Sequence, residues 1–335
     1  MAKKILIVII IIIAGWFYWQ SLGAPVSSNG KEILFTVAKG ETVNQTAVKL
    51  RTNNLISSEF YFRYLAWRKN SKIQAGQYSL SQKLSSSEIL KLLSSGRALS
   101  REKTITMIEG WKIKEMDKYL SDNKLITSGD FEKLALINFS SWKFNFSRPD
   151  FLSDAPAKAN LEGYLFPDTY KIFSEATSQD IIKKMLDNFN VKLTPAMRAE
   201  IKKQNKTVYE IITMASLVEK EVRSDADMKI VSGIFWNRIK NREALGSCAT
   251  LAYILGVNKP QYTIEDTKID SPYNTYKYRG LPPGPISNPG LNAITAAIYP
   301  TDTAYNYFLT DPLTGKTIFS KSLEEHNLNK YKYLK

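Results

Sequence analysis

The feature that most constrains this chain is its first segment. Lys3 and Lys4 precede residues 5–19, an uncharged run rich in isoleucine, and a weakly polar tail extends it through residue 24. At 1.5 Å per residue a helix over residues 5–24 spans roughly 30 Å, about the hydrocarbon thickness of a bilayer. Trp16, Phe17, Tyr18 and Trp19 gather at its far end, where aromatic rings favour a membrane interface, and the two lysines hold the near end in the cytoplasm. Residues 1–24 therefore read as a single-pass membrane anchor, N-terminus inside, with the rest of the chain extracytoplasmic. A cleaved signal peptide competes with this reading. Gly23 and Ala24 are small, but Pro25 follows them and bulky rings stand where a cleavage region is small.

That topology gives the charge its meaning. Forty-six Lys and Arg against 32 Asp and Glu leave +14, which favours an anionic partner. Outside the cytoplasm, the partner is a carboxylate-rich wall polymer rather than nucleic acid. A length of 335 residues suggests two domains, and 44% apolar with 23% charged residues is the composition of a folded chain. The single cysteine, Cys248, permits no internal disulfide, and with the single histidine, His326, it supplies too few ligands of those types for a usual zinc site. No cofactor or metal is expected. A histidine-dependent triad would have to use His326, which no G-x-S-x-G accompanies, so chemistry through carboxylates stays open.

Residues 25–31 read as a linker and residues 33–37 as a strand. After Lys39-Gly40-Glu41-Thr42, the spacing of Val43, Ala47 and Leu50 predicts a helix. The pattern returns 70 positions later: Gly40 corresponds to Gly110, Val43 to Ile113, Leu50 to Leu120, Asn53 to Asn123, and Leu55-Ile56 to Leu125-Ile126. One ungapped offset predicts two strand-turn-helix units, the second with its strand at residues 104–108. Between them lie a strand at residues 73–80 and a short helix at residues 86–95. The first unit, with Val37, Lys39-Gly40-Glu41-Thr42 and then Asn53-Asn54-Leu55-Ile56, resembles a LysM-like module, a family that binds N-acetylglucosamine polymers. Residues 131–159 are expected to form a connection with little regular structure. The expected class is α+β: an anchor (1–24), a LysM-like α/β module (25–100), a second strand-helix unit with a connection (101–160) and a mixed α+β catalytic domain (161–335).

Residues 208–222, VYEIITMASLVEKEV, carry apolar side chains at the three-four spacing of one helix face. On a wheel the apolar arc runs from roughly 280° through 0° to 40°, with Glu219 at roughly 20°, inside it, and Glu221 at roughly 220°, outside it. A carboxylate on a buried face resists ionisation, and a Glu raised towards neutrality can protonate a leaving oxygen. The alternative is a structural ion pair, for which Arg238 on the following amphipathic helix, residues 228–239, is the partner. Spacing alone leaves both open. Farther on, Tyr273-Asn274-Thr275-Tyr276 and Gly280-Leu281-Pro282-Pro283-Gly284-Pro285 form a proline-stiffened loop that reads either as a sugar-binding wall or as a surface connection.

Taken in order, Leu161-Glu162-Gly163-Tyr164-Leu165-Phe166-Pro167-Asp168-Thr169, Ala215-Ser216-Leu217-Val218-Glu219-Lys220-Glu221, Phe235-Trp236-Asn237-Arg238, Tyr273-Asn274-Thr275-Tyr276 and Gly280-Leu281-Pro282-Pro283-Gly284 strongly resemble the YceG-like endolytic murein transglycosylases. The resemblance runs from about residue 33 to the end. It implies a peptidoglycan lytic transglycosylase that cuts MurNAc-GlcNAc bonds in nascent strands, leaves 1,6-anhydromuramoyl ends and works beside the peptidoglycan synthases (penicillin-binding proteins). It implies Glu219 as the catalytic acid. Glu162, Asn237, Arg238, Thr250, Tyr253, Asn274, Thr275 and Tyr276 are candidate substrate contacts, with Glu162 also a possible second carboxylate. The chain departs from the family where L-Q-S-D-x-T is common: Gly246 and Cys248 stand in place of Gln and Asp. A muramidase hydrolase and a non-catalytic glycan-binding scaffold are the rival readings.

Overall fold

The computed structural model describes residues 13–334, apart from positions 29, 31, 96–101, 174–175 and 260–261. The chain divides into two compact units, residues 1–102 and residues 103–335, each with its own core.

In the first unit, strand β1 (Glu32–Val37) leads through a turn into helix α1 (Val43–Thr52), then α2 (Glu59–Arg68), strand β2 (Gly76–Ser81) and α3 (Ser86–Ser94). β1 and β2 pair antiparallel, with Phe35 opposite Tyr78 and Ile33 opposite Leu80. Ala47, Leu50, Phe62, Leu80 and Leu90 close the core beneath them. The first half of the predicted anchor, residues 1–12, lies outside the described residues. Residues 13–21 are helical, and no described helix is long and apolar enough to cross a membrane. One correction concerns the tail assigned to the span. Trp19 packs edge-on against Tyr61 and Tyr64 at 5.2 Å, and the Gly23 carbonyl accepts the Ser86 N–H at 3.0 Å. These residues are built into the unit because its second helix offers them an aromatic face.

The second unit opens on the repeat. Strand β3 (Glu102–Thr106) leads to α4 (Ile113–Asp122), whose bounds sit 70 positions beyond those of α1. Asn53 and Asn123 cap the two helices alike, each amide donating at 2.8 Å to the carbonyl four residues back, and Asn54 and Lys124 both take positive φ. The segment expected to be irregular instead buries Phe131, Phe139, Phe151 and Leu152 through a short helix, α5 (Asp130–Ala135), and two 3-10 turns. Aromatic side chains, rather than backbone periodicity, organise it. This part of the chain does not stand apart from the catalytic domain expected after it: Met107, Ile113 and Leu120 share one core with Leu165, Ile212 and Ala297, and β3 pairs with β4 (Thr169–Phe173).

Then come α6 (Ser178–Lys192), α7 (Pro195–Lys203), α8 (Val208–Glu221), α9 (Asp225–Lys240), α10 (Cys248–Leu255), α11 (Ile264–Thr267) and α12 (Leu291–Ile298). An antiparallel pair, β5 (Tyr307–Thr310) and β6 (Thr317–Ser320), precedes α13 (Leu323–Tyr333). Helix α8 lies at the centre, packed against α9 and α12. Thr207 begins it with a capping box to Glu210, and residues 211–218 are buried on every side.

Candidate active site

Central placement of α8 brings its C-terminal glutamates to the edge of the core. Glu219 is half-buried there, and its Oε2 accepts the Gly290 N–H at 2.9 Å. Gly290 is the residue that starts α12, so a backbone donor at a helix N-terminus holds the acid. Above it runs the second copy of the repeat turn. A side chain on Gly110 would meet Glu219 Cγ at 3.4 Å, and one on Gly290 would strike the Glu109 carboxylate. Burial lifts the Glu219 pKa to about 7. The Gly290 hydrogen bond opposes that rise, the nearby Glu109 charge adds to it and Lys220 opposes it. Lys220 reaches the Gly110 carbonyl at 3.4 Å.

Residues 110–113 and 288–290 form a bonded strap. Gly110 N–H donates to Asn288 O, and Asn288 N–H donates to Trp111 O, both at 2.8 Å. At the other end of the strap, Glu162 is buried. Its Oε1 accepts from Ile113 N at 3.1 Å and from Asn288 Nδ2 at 2.8 Å. Desolvation pushes its pKa to about 8 against those donors and Lys112. The carboxylate acting on Glu219 is thus Glu109 rather than Glu162. Asn288 accepts from both Gly163 and Leu165 N–H, so one side chain ties the loop after residue 160 to the strap.

The wheel separated the two glutamates of α8 too sharply. Glu221, placed outside the apolar arc, is also desolvated, and its pKa is raised by burial. It accepts hydrogen bonds from Ser247 Oγ and the Ala249 N–H, and Arg238 is the cation that faces it. A helix surrounded on all sides offers no solvent face, so angular position ceases to discriminate. The Arg238 expected beside Glu219 donates instead to the carbonyls of Leu245 and Asn306, and Asn237 donates to Thr303 O at 3.2 Å.

The loop contacts divide likewise. Asn274 is fully buried, its amide donating to Thr267 O and Ile269 O and its Oδ1 accepting from Tyr276 N. Thr275 and Thr250 meet at 3.0 Å, and Thr275 also accepts from Ser247 N. Asn274 and Thr275 bond within the loop, and Thr250 of α10 ties the loop to that helix, so all three hold its shape. Tyr276 is partly exposed with its hydroxyl 3.0 Å from Cys248 Sγ. The Tyr253 and Tyr273 rings meet at a tilt with centroids 4.9 Å apart, and with Tyr209 and Glu162 they wall a cavity of about 290 Å3. Lys112 lies 5.3 Å from the Tyr253 ring. His326 stacks on Tyr307 at 5.2 Å, and burial lowers its pKa.

Glu109, Lys112, Tyr209, Asn288 and Gly290 went unmarked in the sequence. The turn was visible only through Gly110 of the repeat, and Asn288 and Gly290 lie just beyond the proline-stiffened loop that the sequence singled out.

The strap thus joins two desolvated carboxylic acids, Glu219 at the end of α8 and Glu162 in the wall of the tyrosine-lined cavity. The chain belongs to the YceG-like family, which it matches over residues 35–332. It is 35% identical over 332 residues to a Bacillus subtilis protein named endolytic murein transglycosylase, covering 97% of this chain and 91% of that one. A Streptococcus pneumoniae protein of the same name is 31% identical over 340 residues, covering 94% of this chain and 61% of that one. A crystal structure of a yceG-like protein from Listeria monocytogenes superposes with a TM-score of 0.60 at 30% identity, over 90% of this chain and all of that one.

Proposed function

We propose that the chain is an endolytic peptidoglycan lytic transglycosylase with Glu219 as its acid and base. The observation that carries the reading is the desolvated Glu219 carboxyl on a single backbone donor, titrating at about 7. As the neutral acid it protonates the oxygen bridging MurNAc to GlcNAc, and the C1–O bond breaks. As the resulting carboxylate it takes the proton of the muramoyl C6 hydroxyl while that oxygen bonds C1, closing a 1,6-anhydro ring. The carboxyl ends the cycle protonated, and no water is consumed. Lys220 places positive charge beside Glu219 and Lys112 beside Tyr253, suited to a polymer bearing carboxylates.

The apolar segment of residues 5–18 supports a membrane-anchored protein with its catalytic unit outside the cytoplasm. An anchored enzyme reaches nascent, membrane-proximal strands and terminates them beside the peptidoglycan synthases. The strand-helix-helix-strand order of β1, α1, α2 and β2 supports a LysM-like glycan-binding role for the first unit.

One observation favours a second reading. Glu109 stands beside Glu219, and a pair of carboxylates is what a muramidase hydrolase uses to activate water. Mass spectrometry of digested sacculi separates the two: anhydro ends support the lyase, and reducing ends the hydrolase. Glu219→Gln abolishes cleavage in either case, while retained glycan binding with no cleavage by the wild type would leave the scaffold reading. Protease accessibility in intact cells and membrane fractionation test the anchor, and cross-linking to the synthases tests the partnership.

A further inference from the structure

The cavity of about 290 Å3 beside Glu162 is not consumed by the chemistry at Glu219. Its polar groups are nearly all spoken for. Tyr209 donates to Pro283 O at 2.6 Å, the Tyr253 and Tyr273 hydroxyls bond each other, and Asn160 Oδ1 accepts the Glu162 N–H at 2.9 Å. Glu162 Oε1 takes two donors, whereas Oε2 holds only the longer arm, 3.3 Å, of the bond shared with Ile113 N–H. Oε2 is therefore an underused polar atom of the wall, and it belongs to the buried carboxyl. Around it stand three tyrosine rings and the rings of Pro283 and Pro285.

Flat aromatic faces suit the C–H faces of a pyranose, and a single buried donor between them suits a single buried acceptor. We propose that this cavity is a subsite for one 2-acetamido sugar of the glycan, its ring against the tyrosines and its amide carbonyl hydrogen-bonded by Glu162 Oε2. The assignment rests on the glycan-cleaving reading above and extends it. Two features of the site support it. Burial holds the Glu162 pKa at about 8, so the group keeps its proton at neutral pH, and with Oε1 occupied by incoming N–H groups the proton falls to Oε2. Asn288, bonded to Glu162, is two residues from Gly290, bonded to Glu219, so a sugar seated here positions the strand relative to the acid. Glu162 is a specificity and positioning residue in this scheme, and Glu219 remains the catalytic one.

The test measures binding by the full chain in detergent, in a Glu219→Gln background that prevents turnover. The probes are an N-acetylglucosamine tetramer and cellotetraose, the same backbone with hydroxyls in place of acetamides. The expected preference for the acetamido probe is about tenfold, the cost of leaving a buried donor unpaired. That preference falls as pH rises through about 8, where Glu162 loses its proton. Glu162→Gln, whose amide still donates, abolishes the pH dependence, and Glu162→Met, which cannot donate, abolishes the preference itself. Should Glu162→Met not fold, Tyr253→Ala at the half-buried wall replaces it and weakens the acetamido probe by a similar factor. Equal binding of both probes, or an undiminished preference in Glu162→Met, overturns the subsite. Digestion of sacculi by the wild type stands as a separate arm. Absence of cleavage there overturns the enzymatic reading while leaving a measured acetamido preference to stand, and cleavage without the preference does the reverse.

Discussion

The two copies of the strand-turn-helix unit share their helix bounds, their Asn caps and their positive-φ turn glycines, Gly40 at 82° and Gly110 at 76°. Their surroundings differ. In the first copy the turn is self-sufficient: Thr42 and Gln45 form a reciprocal capping box, Lys49 pairs with Glu41 at 2.9 Å, and nothing lies within 4 Å of the Gly40 α-carbon's open side. In the second copy Lys112 stands at the cap position and makes no side-chain cap bond. Glu162, from a distant loop, accepts the Ile113 N–H instead, and the Gly110 turn closes over Glu219. This helix start keeps half of its local cap, Glu115 accepting the Lys112 N–H at 2.8 Å, and the N–H that the cap side chain leaves is satisfied from elsewhere, which binds the turn, Asn288 and two desolvated acids into one assembly. The same local structure is a free-standing turn in one unit and the wall of a site in the other.

Acid removal gives the largest contrast. Glu219→Gln should reduce anhydro-product formation on the order of a thousandfold, whereas Glu41→Gln in the first copy should leave it within about twofold. Product analysis on sacculi reads both, and an equal loss would erase the distinction between the copies. Next come the glycines. Both Gly40→Ala and Gly110→Ala force an L side chain into positive φ and should cost about 1–2 kcal/mol in denaturant melts. Only at Gly110 does the methyl touch Glu219 and Lys220, at a contact distance of 3.4 Å, so the backbone shift that relieves the positive φ reaches the acid, and this variant alone should lower cleavage, by about tenfold.

The pH profile sharpens the role of the turn. The protonated form of Glu219 begins the reaction, so the rate should fall as pH rises through about 7. Glu109→Gln removes a like charge, lowers the Glu219 pKa and moves that fall to lower pH by roughly half a unit to one unit. An unmoved profile would show that the second copy's turn does not tune the acid. Stability follows the same sign: Glu162, raised in the fold from 4.5 to about 8, contributes stability that is fully present below 4.5 and lost as pH rises through about 8. Glu162→Gln should flatten that slope in thermal melts.

The smallest contrast lies in the caps. Thr42→Ala should cost about 1 kcal/mol, and Lys112→Ala under about 0.5 kcal/mol, because only the first residue caps its helix. Equal costs would mean that Lys112 does structural work after all.

Much of this architecture was legible in the order of residues. Apolar spacing located α8 nearly to the residue and α9 to within a few, and an ungapped offset revealed the paired turns, because helical periodicity and turn glycines are local demands. Glu219 stood out on the same ground and through the family motif. The partners did not. Glu109 belongs to a turn whose first copy carries Lys39 at the corresponding place, and nothing in the spacing distinguishes an idle turn from one closed over an acid. The internal bonds of Asn274 and Thr275, and of Thr250 on α10, were not legible either, because a polar residue type does not say whether its partner is the loop itself or a ligand.

By itself the sequence determined the strand-turn-helix repeat, the helices that carry Glu219 and Arg238, and the candidate acid, since each depends on neighbours within a few residues along the chain or on a short motif. Only the tertiary structure decided which carboxylates are dehydrated, that Arg238 faces Glu221 and that Glu162 caps a helix 49 positions away. Those outcomes arise from burial and hydrogen bonds between distant segments. The free energy of a charge is set by what surrounds it in space.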